Sequence, residues 1–137
     1  SILDTDAEAL VNTVNCVGVM GKGVALQCKA LYPDNYEFYR RVCDAGLLRP
    51  GYVLPFQGIG RVILNAATKD HWRDPSQLEW VRSAIRGVDR WARVYQLSSI
   101  AMPPLGCGNG GLPWSHVRPL IVQVFGDGPL EVRLYEP

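Results

Sequence analysis

The chain has 137 residues, enough for one domain with a real core and too few for two ordinary ones. Its 14 Lys and Arg against 13 Asp and Glu leave a formal charge of +1, which excludes the strong basic bias of a protein that coats duplex DNA, so any nucleic-acid contact is small and local. Cys16, Cys28, Cys43 and Cys107 lack the spacing of a zinc site, and no signal peptide or long apolar run accompanies them; they are expected to be reduced thiols of a cytosolic protein with no metal, no cofactor and no membrane span.

In chain order, segments of strand length alternate with segments of helical period, the order of an α/β sandwich with a largely parallel or mixed sheet. Ala9 to Asn12 reads as a short buried strand. Gly23 to Tyr32 reads as a helix with Val24, Ala25, Cys28, Leu31 and Tyr32 on one face, stopped by Pro33. A second helix is expected from Asn35 to Cys43, ending near Gly46, followed by strands at Tyr52 to Phe56 and Val62 to Ala67 on either side of the turn formers Gly58 and Gly60. The longest helix is expected to open near Pro75 with Asp74 as its cap and to run to Tyr95, turning Leu78, Val81, Ala84, Ile85, Val88 and Ala92 inward. Its Arg82, Arg86, Arg90 and Arg93 are interleaved with Glu79 and Asp89, which makes them a solvated face rather than a binding stripe. Ser99 to Met102, a helix from Ser115 to Phe125 and Leu130 to Tyr135 complete the order, with no internal repeat and no exposed apolar stripe to suggest more than a monomer.

Three segments carry chemistry, and each follows a predicted strand. The first, Asn15 to Gly23, holds Gly18, Gly21 and Gly23 ahead of a helix, where backbone N–H groups and the helix N-terminus can meet a phosphate. It matches neither a Walker loop nor a Rossmann fingerprint. Lys22 either pairs with that anion or merely starts the helix, and a cation there is unfavourable without an anion nearby. The second, Pro103 to Trp114, has Gly106, Gly108, Gly110 and Gly111 and again leads into a helix, so two phosphate cradles on one sheet edge suit a diphosphate. Cys107 within it has no activating base in sequence and reads as a small packing residue. The third, Asn65 to Pro75, places Lys69 just past a strand's end. A lysine is a weak nucleophile while protonated, and Arg73 is the neighbouring cation that favours the free amine. Within that segment His71 is either a proton donor or a loop histidine bonded to backbone, and Trp72 and Arg73 either stack on an unpaired base or meet a phosphate, the alternative for Trp72 being a place in the core.

The order Ala9-Leu10-Val11-Asn12-Thr13-Val14-Asn15, Gly18-Val19-Met20-Gly21-Lys22-Gly23-Val24-Ala25, Thr68-Lys69-Asp70-His71-Trp72-Arg73-Asp74-Pro75-Ser76 and Pro104-Leu105-Gly106-Cys107-Gly108 resembles a macrodomain, and more narrowly the macrodomain of DarG-type antitoxins, which are DNA ADP-ribosyl glycohydrolases. The resemblance implies a three-layer α/β/α sandwich with a mixed central sheet, spanning residues 1–137 as one macrodomain. It implies ADP-ribose as ligand, held by Asn12, Gly18, Val19, Met20, Gly21, Lys22, Gly23 and Val24 and by Pro104, Leu105, Gly106, Cys107, Gly108, Asn109, Gly110, Gly111 and Leu112, with Asn15 on the distal ribose and Lys69 as the reactive group. His71, Trp72 and Arg73 are the candidate DNA contacts. The implied reaction is hydrolysis of the bond between ADP-ribose and thymidine bases of single-stranded DNA, reversing a DarT-type toxin that binds through a region outside these residues. A non-catalytic ADP-ribose binding module, or a glycohydrolase acting on modified protein, would use the same pocket.

Two departures stand out. Where many macrodomain hydrolases carry an acid in the first loop or after the second Gly-Cys-Gly, this chain has Lys22 and Asn109-Gly110-Gly111, which throws the chemistry onto Lys69. The Gly-Asp-Ile strand that normally supplies part of the adenine site is replaced by Ser1-Ile2-Leu3, so a trimmed or partly disordered start is expected.

Overall fold

A computed structural model describes residues 1–137. Five strands form one sheet in the order β2-β3-β1-β4-β5: β1 (Ala9–Val14), β2 (Val53–Gly58), β3 (Arg61–Ala67), β4 (Ser99–Met102) and β5 (Glu131–Leu134). The β2–β3 hairpin is antiparallel and every other pairing is parallel, so the sheet is mixed. Helices α1 (Gly23–Leu31) and α2 (Pro33–Asp44) cover one face, and α3 (Leu78–Val94) and α4 (Trp114–Phe125) the other, giving three layers.

The three parallel strands at the centre are apolar on both faces, as strands sandwiched between helices must be. Val11, Val62, Leu64 and Ala66 pack on α3 and α4, while Leu10, Ile63 and Ala101 face α1 from the other side. The inward stripe of α3 is the expected one, Val81, Ala84, Ile85, Val88 and Ala92, each nearly or fully buried, and burial of a Val or Ile side chain of this kind is worth about 1.5–3 kcal/mol. The arginines stay outside, with Arg82 paired to Glu79 and Arg93 to Asp89.

Chain order sets where a ligand can sit. From β1 the chain passes through α1 and α2 to β3 on one side, then crosses by α3 to β4 on the other side of β1. That reversal leaves a crevice at the carboxyl end of β1, the switch point at which open α/β sheets bind ligands.

Several local expectations are corrected. The long helix starts at Leu78, with Gln77 as an N-cap that makes no side-chain cap bond, because Ser76 N–H is claimed by the Gly110 carbonyl at 2.9 Å and the chain is held extended until it has passed the second loop. Pro33 both ends α1 and occupies the first position of α2, where its missing N–H costs nothing. Leu31 lies outside rather than on the buried face of α1, whose one fully buried side chain is Cys28. The first residues are ordered: Ile2–Asp4 form a turn of 3-10 helix, and Ile2 and Leu3 pack against Leu10 and Ile63.

The core also holds a polar device. Asn12 on β1 lies opposite Asn65 on β3, and Asn65 Oδ1 accepts from Asn12 Nδ2 at 3.1 Å and from Asn35 Nδ2 of α2 at 3.1 Å, while Asn65 Nδ2 returns a bond of 2.8 Å to Asn35 Oδ1. All three side chains are fully buried, so the bonds stitch two strands to a helix in a place where water cannot substitute. Replacing Asn65 with Ala strands two amide donors, and urea unfolding should show a loss of about 3 kcal/mol.

Candidate active site

The loops after β1, β3 and β4 converge on the crevice above β1 and enclose a cleft of about 500 Å³. That is room for a nucleotide-sized ligand. Its wall on one side is the first glycine loop with the start of α1, through Asn15, Val19, Gly21, Lys22, Gly23 and Val24; on the other side stands the second loop, through Pro104, Gly106, Cys107, Gly108, Asn109 and Gly110. Lys69 and Trp72, from the segment after β3, close the crevice between them.

Asn15 builds the first loop. Its Oδ1 accepts from Val17 N–H at 3.1 Å, Val19 N–H at 3.3 Å and the Tyr39 hydroxyl at 2.9 Å, and its Nδ2 donates to Val19 O at 2.8 Å. Tyr39, fully buried on α2, also reaches Asn15 O at 2.7 Å, and burial pushes its phenol far above the usual range, so it remains a donor. The carboxamide is thus a loop organiser with one Nδ2 hydrogen left for a ligand. With the turn held, the N–H groups of Gly21 and Lys22 have no acceptor in the chain, and neither do those of Gly106, Gly108 and Asn109 across the cleft. Free amides on both walls make an anion cradle. Gly23, at φ +57 with nothing within 4 Å of where a Cβ would stand, keeps the helix start open to a ligand.

The lysine segment is tied to this loop. Thr68 N–H bonds Val14 O at 3.1 Å, Cys16 N–H bonds Asp70 O at 2.9 Å, and the Cys16 thiol, pushed up to about 12 by burial, donates to Lys69 O at 3.4 Å. Lys69 is half-buried, lines the cleft, and its Nζ donates to Trp72 O at 3.2 Å. No Asp or Glu lines the cleft, whereas Lys22 and Lys69 do, and neither lysine is in an ion pair.

The remaining candidates divide. Trp72 is 46% exposed, which removes the reading of it as core; Arg73 stacks on its ring at 4.8 Å and His71 lies 5.2 Å from it. His71 Nδ1 accepts Arg73 N–H at 3.1 Å, the backbone-bonded role expected of a loop histidine. Burial raises the Cys107 thiol, so it stays protonated and does not serve as a nucleophile. Six positions assigned to ligand binding do not line the cleft. Asn12 belongs to the buried amide triad; Met20 and Leu105 are core residues; Leu112 packs on the core; Gly18 backs onto Arg40 and Cys43 of α2; Gly111 caps the 3-10 turn Gly108–Gly110. A loop that presents one residue to a cleft must anchor the next, and a contiguous motif does not say which is which. Thr13, Thr68, Ser76, Pro103, Val14 and Ala25 also line the cleft without having been singled out. For Thr13, Val14, Thr68 and Pro103 the available signal was their position at strand ends; Ala25 in α1 and Ser76 ahead of α3 had none.

The Macro domain family profile matches residues 11–121, and the chain belongs to that family. Over its whole length it is 44% identical to a DNA ADP-ribosyl glycohydrolase of Thermus aquaticus, of which it covers 39%. The macrodomain of Mycobacterium tuberculosis DarG superposes with a TM-score of 0.96 at 41% identity, over 100% of this chain and 93% of that one. Thermosipho africanus DarTG in complex with ADP-ribose gives 0.91 at 30% identity, over 100% of this chain and 40% of that one. The chain therefore spans about two fifths of the length of the curated glycohydrolases it matches.

Ser76 sets a limit on the second loop. A Cβ on Gly110 would fall 2.6 Å from Ser76 Oγ and 3.1 Å from its Cβ, whereas one on Gly21 meets nothing closer than 3.5 Å. Gly110→Ala is expected to lower stability by about 1–3 kcal/mol in urea unfolding, and Gly21→Ala by less than about 0.5 kcal/mol.

Proposed function

We propose that the chain hydrolyses the N-glycosidic bond joining ADP-ribose to thymidine bases in single-stranded DNA; the naming of its Thermus aquaticus relative as a DNA ADP-ribosyl glycohydrolase supports the class of reaction. The observation that carries this reading is Lys69, a half-buried residue lining a cleft that has free backbone amides on both walls and no carboxylate. The diphosphate sits between Gly21 to Val24 and Gly106 to Gly110, with Lys22 as counter-charge; the Thermosipho relative solved with ADP-ribose supports that choice of ligand. The remaining Nδ2 hydrogen of Asn15 meets the distal ribose.

In the proposed reaction the bond from the anomeric carbon to the base nitrogen breaks, the electron pair leaves with the base, and the base takes a proton. Lys69 either bonds transiently to the anomeric carbon, to be displaced by water with return of the free amine, or stabilises the departing base. Orientation by the diphosphate clamp lowers the barrier further. Trp72 with Arg73, at the mouth beside Lys69, offers a surface on which an unpaired base stacks, and the near-neutral chain fits a short single-stranded contact rather than duplex wrapping. The reading includes a cytoplasmic monomer whose DarT-type partner binds outside these residues; no helix of the structure is long and apolar enough to cross a membrane.

Mixing the protein with ADP-ribosylated single-stranded oligonucleotide and measuring free ADP-ribose tests the assignment. Release is expected from wild type and lost in Lys69→Ala, with ADP-ribose affinity held within a few fold; unchanged turnover in the variant defeats the role of Lys69. Binding without release would leave a reader module, and release from modified protein alone would mark a protein glycohydrolase. Lys22→Ala should weaken ADP-ribose binding about three- to tenfold and flatten its dependence on salt, measured by calorimetry at two ionic strengths.

A further inference from the structure

Just past the ends of β1 and β3 the parallel ladder between them goes out of step. Its register runs from Val62 N–H on Glu8 O to Thr68 N–H on Val14 O. Continued by one more bond, that register would put Cys16 N–H on Thr68 O. The Cys16 N–H goes instead to Asp70 O at 2.9 Å, so the β3 chain gains two residues on β1 within a single step. Lys69 lies in that slack beside the cleft, and a bulge so placed re-aims the side chain it carries.

The slack leaves the lysine's own peptide almost untethered. Its N–H has no acceptor in the chain, and its carbonyl has one donor, the Cys16 thiol at 3.4 Å. The amine is held by Trp72 O, but Trp72 belongs to the same segment, so that bond fixes nothing relative to the first glycine loop. Cys16 thus spans the slip with both its N–H and its thiol. Burial, with Asp70 adding to it, pushes the thiol up to about 12, so it keeps its hydrogen and remains a donor at neutral pH. Its side chain packs against the cluster of Val14, Met20, Tyr39, Leu48 and Ala67, and Cys16 does not line the cleft although Asn15 before it does. A residue outside the lining can alter turnover only through what it holds.

We infer that Cys16 is a positioning residue for the glycohydrolase reaction, its thiol closing the two-residue slip and setting the direction from which Lys69 enters the cleft. This rests on the proposed role of Lys69 and adds to it a group behind the cleft on which the rate depends. A displacement of about 1 Å in a reacting group can cost about a hundredfold in rate, and the thiol bond is what restrains the lysine's peptide on that scale.

Turnover of ADP-ribosylated single-stranded oligonucleotide, with ADP-ribose affinity by calorimetry, tests this in Cys16→Ala, Cys16→Val and Cys16→Ser, each confirmed folded by urea unfolding. Cys16→Ala, and Cys16→Val, which fills the space without a donor, should each lower kcat about tenfold while KM and ADP-ribose affinity stay within about twofold of wild type. Cys16→Ser, which keeps a donor, should return kcat to within about threefold of wild type. A kcat within twofold of wild type in Cys16→Val overturns the inference, and so does a loss in Cys16→Ser equal to that in Cys16→Val. A fall in ADP-ribose affinity as large as the fall in kcat also overturns it, since Cys16 would then be a strut of the phosphate loop. Wild type that releases no ADP-ribose, or Lys69→Ala that releases it as fast, overturns the parent reading and this one with it.

Discussion

The lashing of the lysine segment to the first glycine loop fixes everything the cleft can do. Thr68 N–H on Val14 O extends the ladder between β1 and β3 by one bond, and two further bonds from Cys16, N–H to Asp70 O and thiol to Lys69 O, hold the chain after the strands have ended. The thiol bond needs its hydrogen, and burial that pushes Cys16 up to about 12 keeps it there at any ordinary pH. With Asn15 and Tyr39 fixing the other end of the loop, the backbone of Lys69 has a set position relative to the free amides of Gly21 and Lys22. A lysine on an untethered loop could not hold its amine to a fraction of an ångström from a reacting carbon, and effective molarity depends on that.

Charge is distributed to the same end. The chain is nearly neutral, yet the two lysines of the cleft have no carboxylate beside them, and the arginine-rich face of α3 points away with Glu79 and Asp89 answering Arg82 and Arg93. Net charge carries no trace of this arrangement, which is visible only where the loops meet. The start of α1 adds its partial positive charge where Lys22 already sits, an arrangement unfavourable for the empty protein and favourable once an anion arrives.

Much of this was legible in the residues. Alternation of apolar strands with periodic helices fixed the layers, and the three loops with chemistry followed three strands, which put them on one edge. What escaped had no local signature. Tyr39 and Asn35 lie in an ordinary amphipathic helix, and their partners Asn15 and Asn65 are 24 and 30 residues away, so nothing short of the folded chain pairs them. Thr13, Thr68 and Ser76 are hydroxyl residues of common type that share one cleft only when three segments meet. Conversely, Met20 and Leu105 sit inside glycine-rich motifs and Asn12 in the strand motif before the first of them, although a strand's period of two turns Asn12 to the core and the loop anchors Met20 there. The start of α3 was misplaced because Pro75 and Asp74 are good helix openers, and a long-range bond from Ser76 to Gly110 overrode them.

The case for lysine chemistry is strengthened by what each rival group is already doing. A carboxylate base would have to come from Asp70 or Asp74, both exposed and neither lining the cleft, with Asp74 folded into a turn on His71. His71 has one ring nitrogen committed to Arg73 N–H and stands outside the cleft's lining. Cys107 lines the cleft but is held protonated by burial and has no base beside it. Thr13, Thr68 and Ser76 have no base either, and an unassisted hydroxyl is a poor nucleophile at neutral pH. Lys22 stands at the helix start among amides directed at phosphate, where its charge has a use as charge. For the proposed reaction that leaves Lys69, which lines the cleft and whose amine has a single tether to a backbone carbonyl.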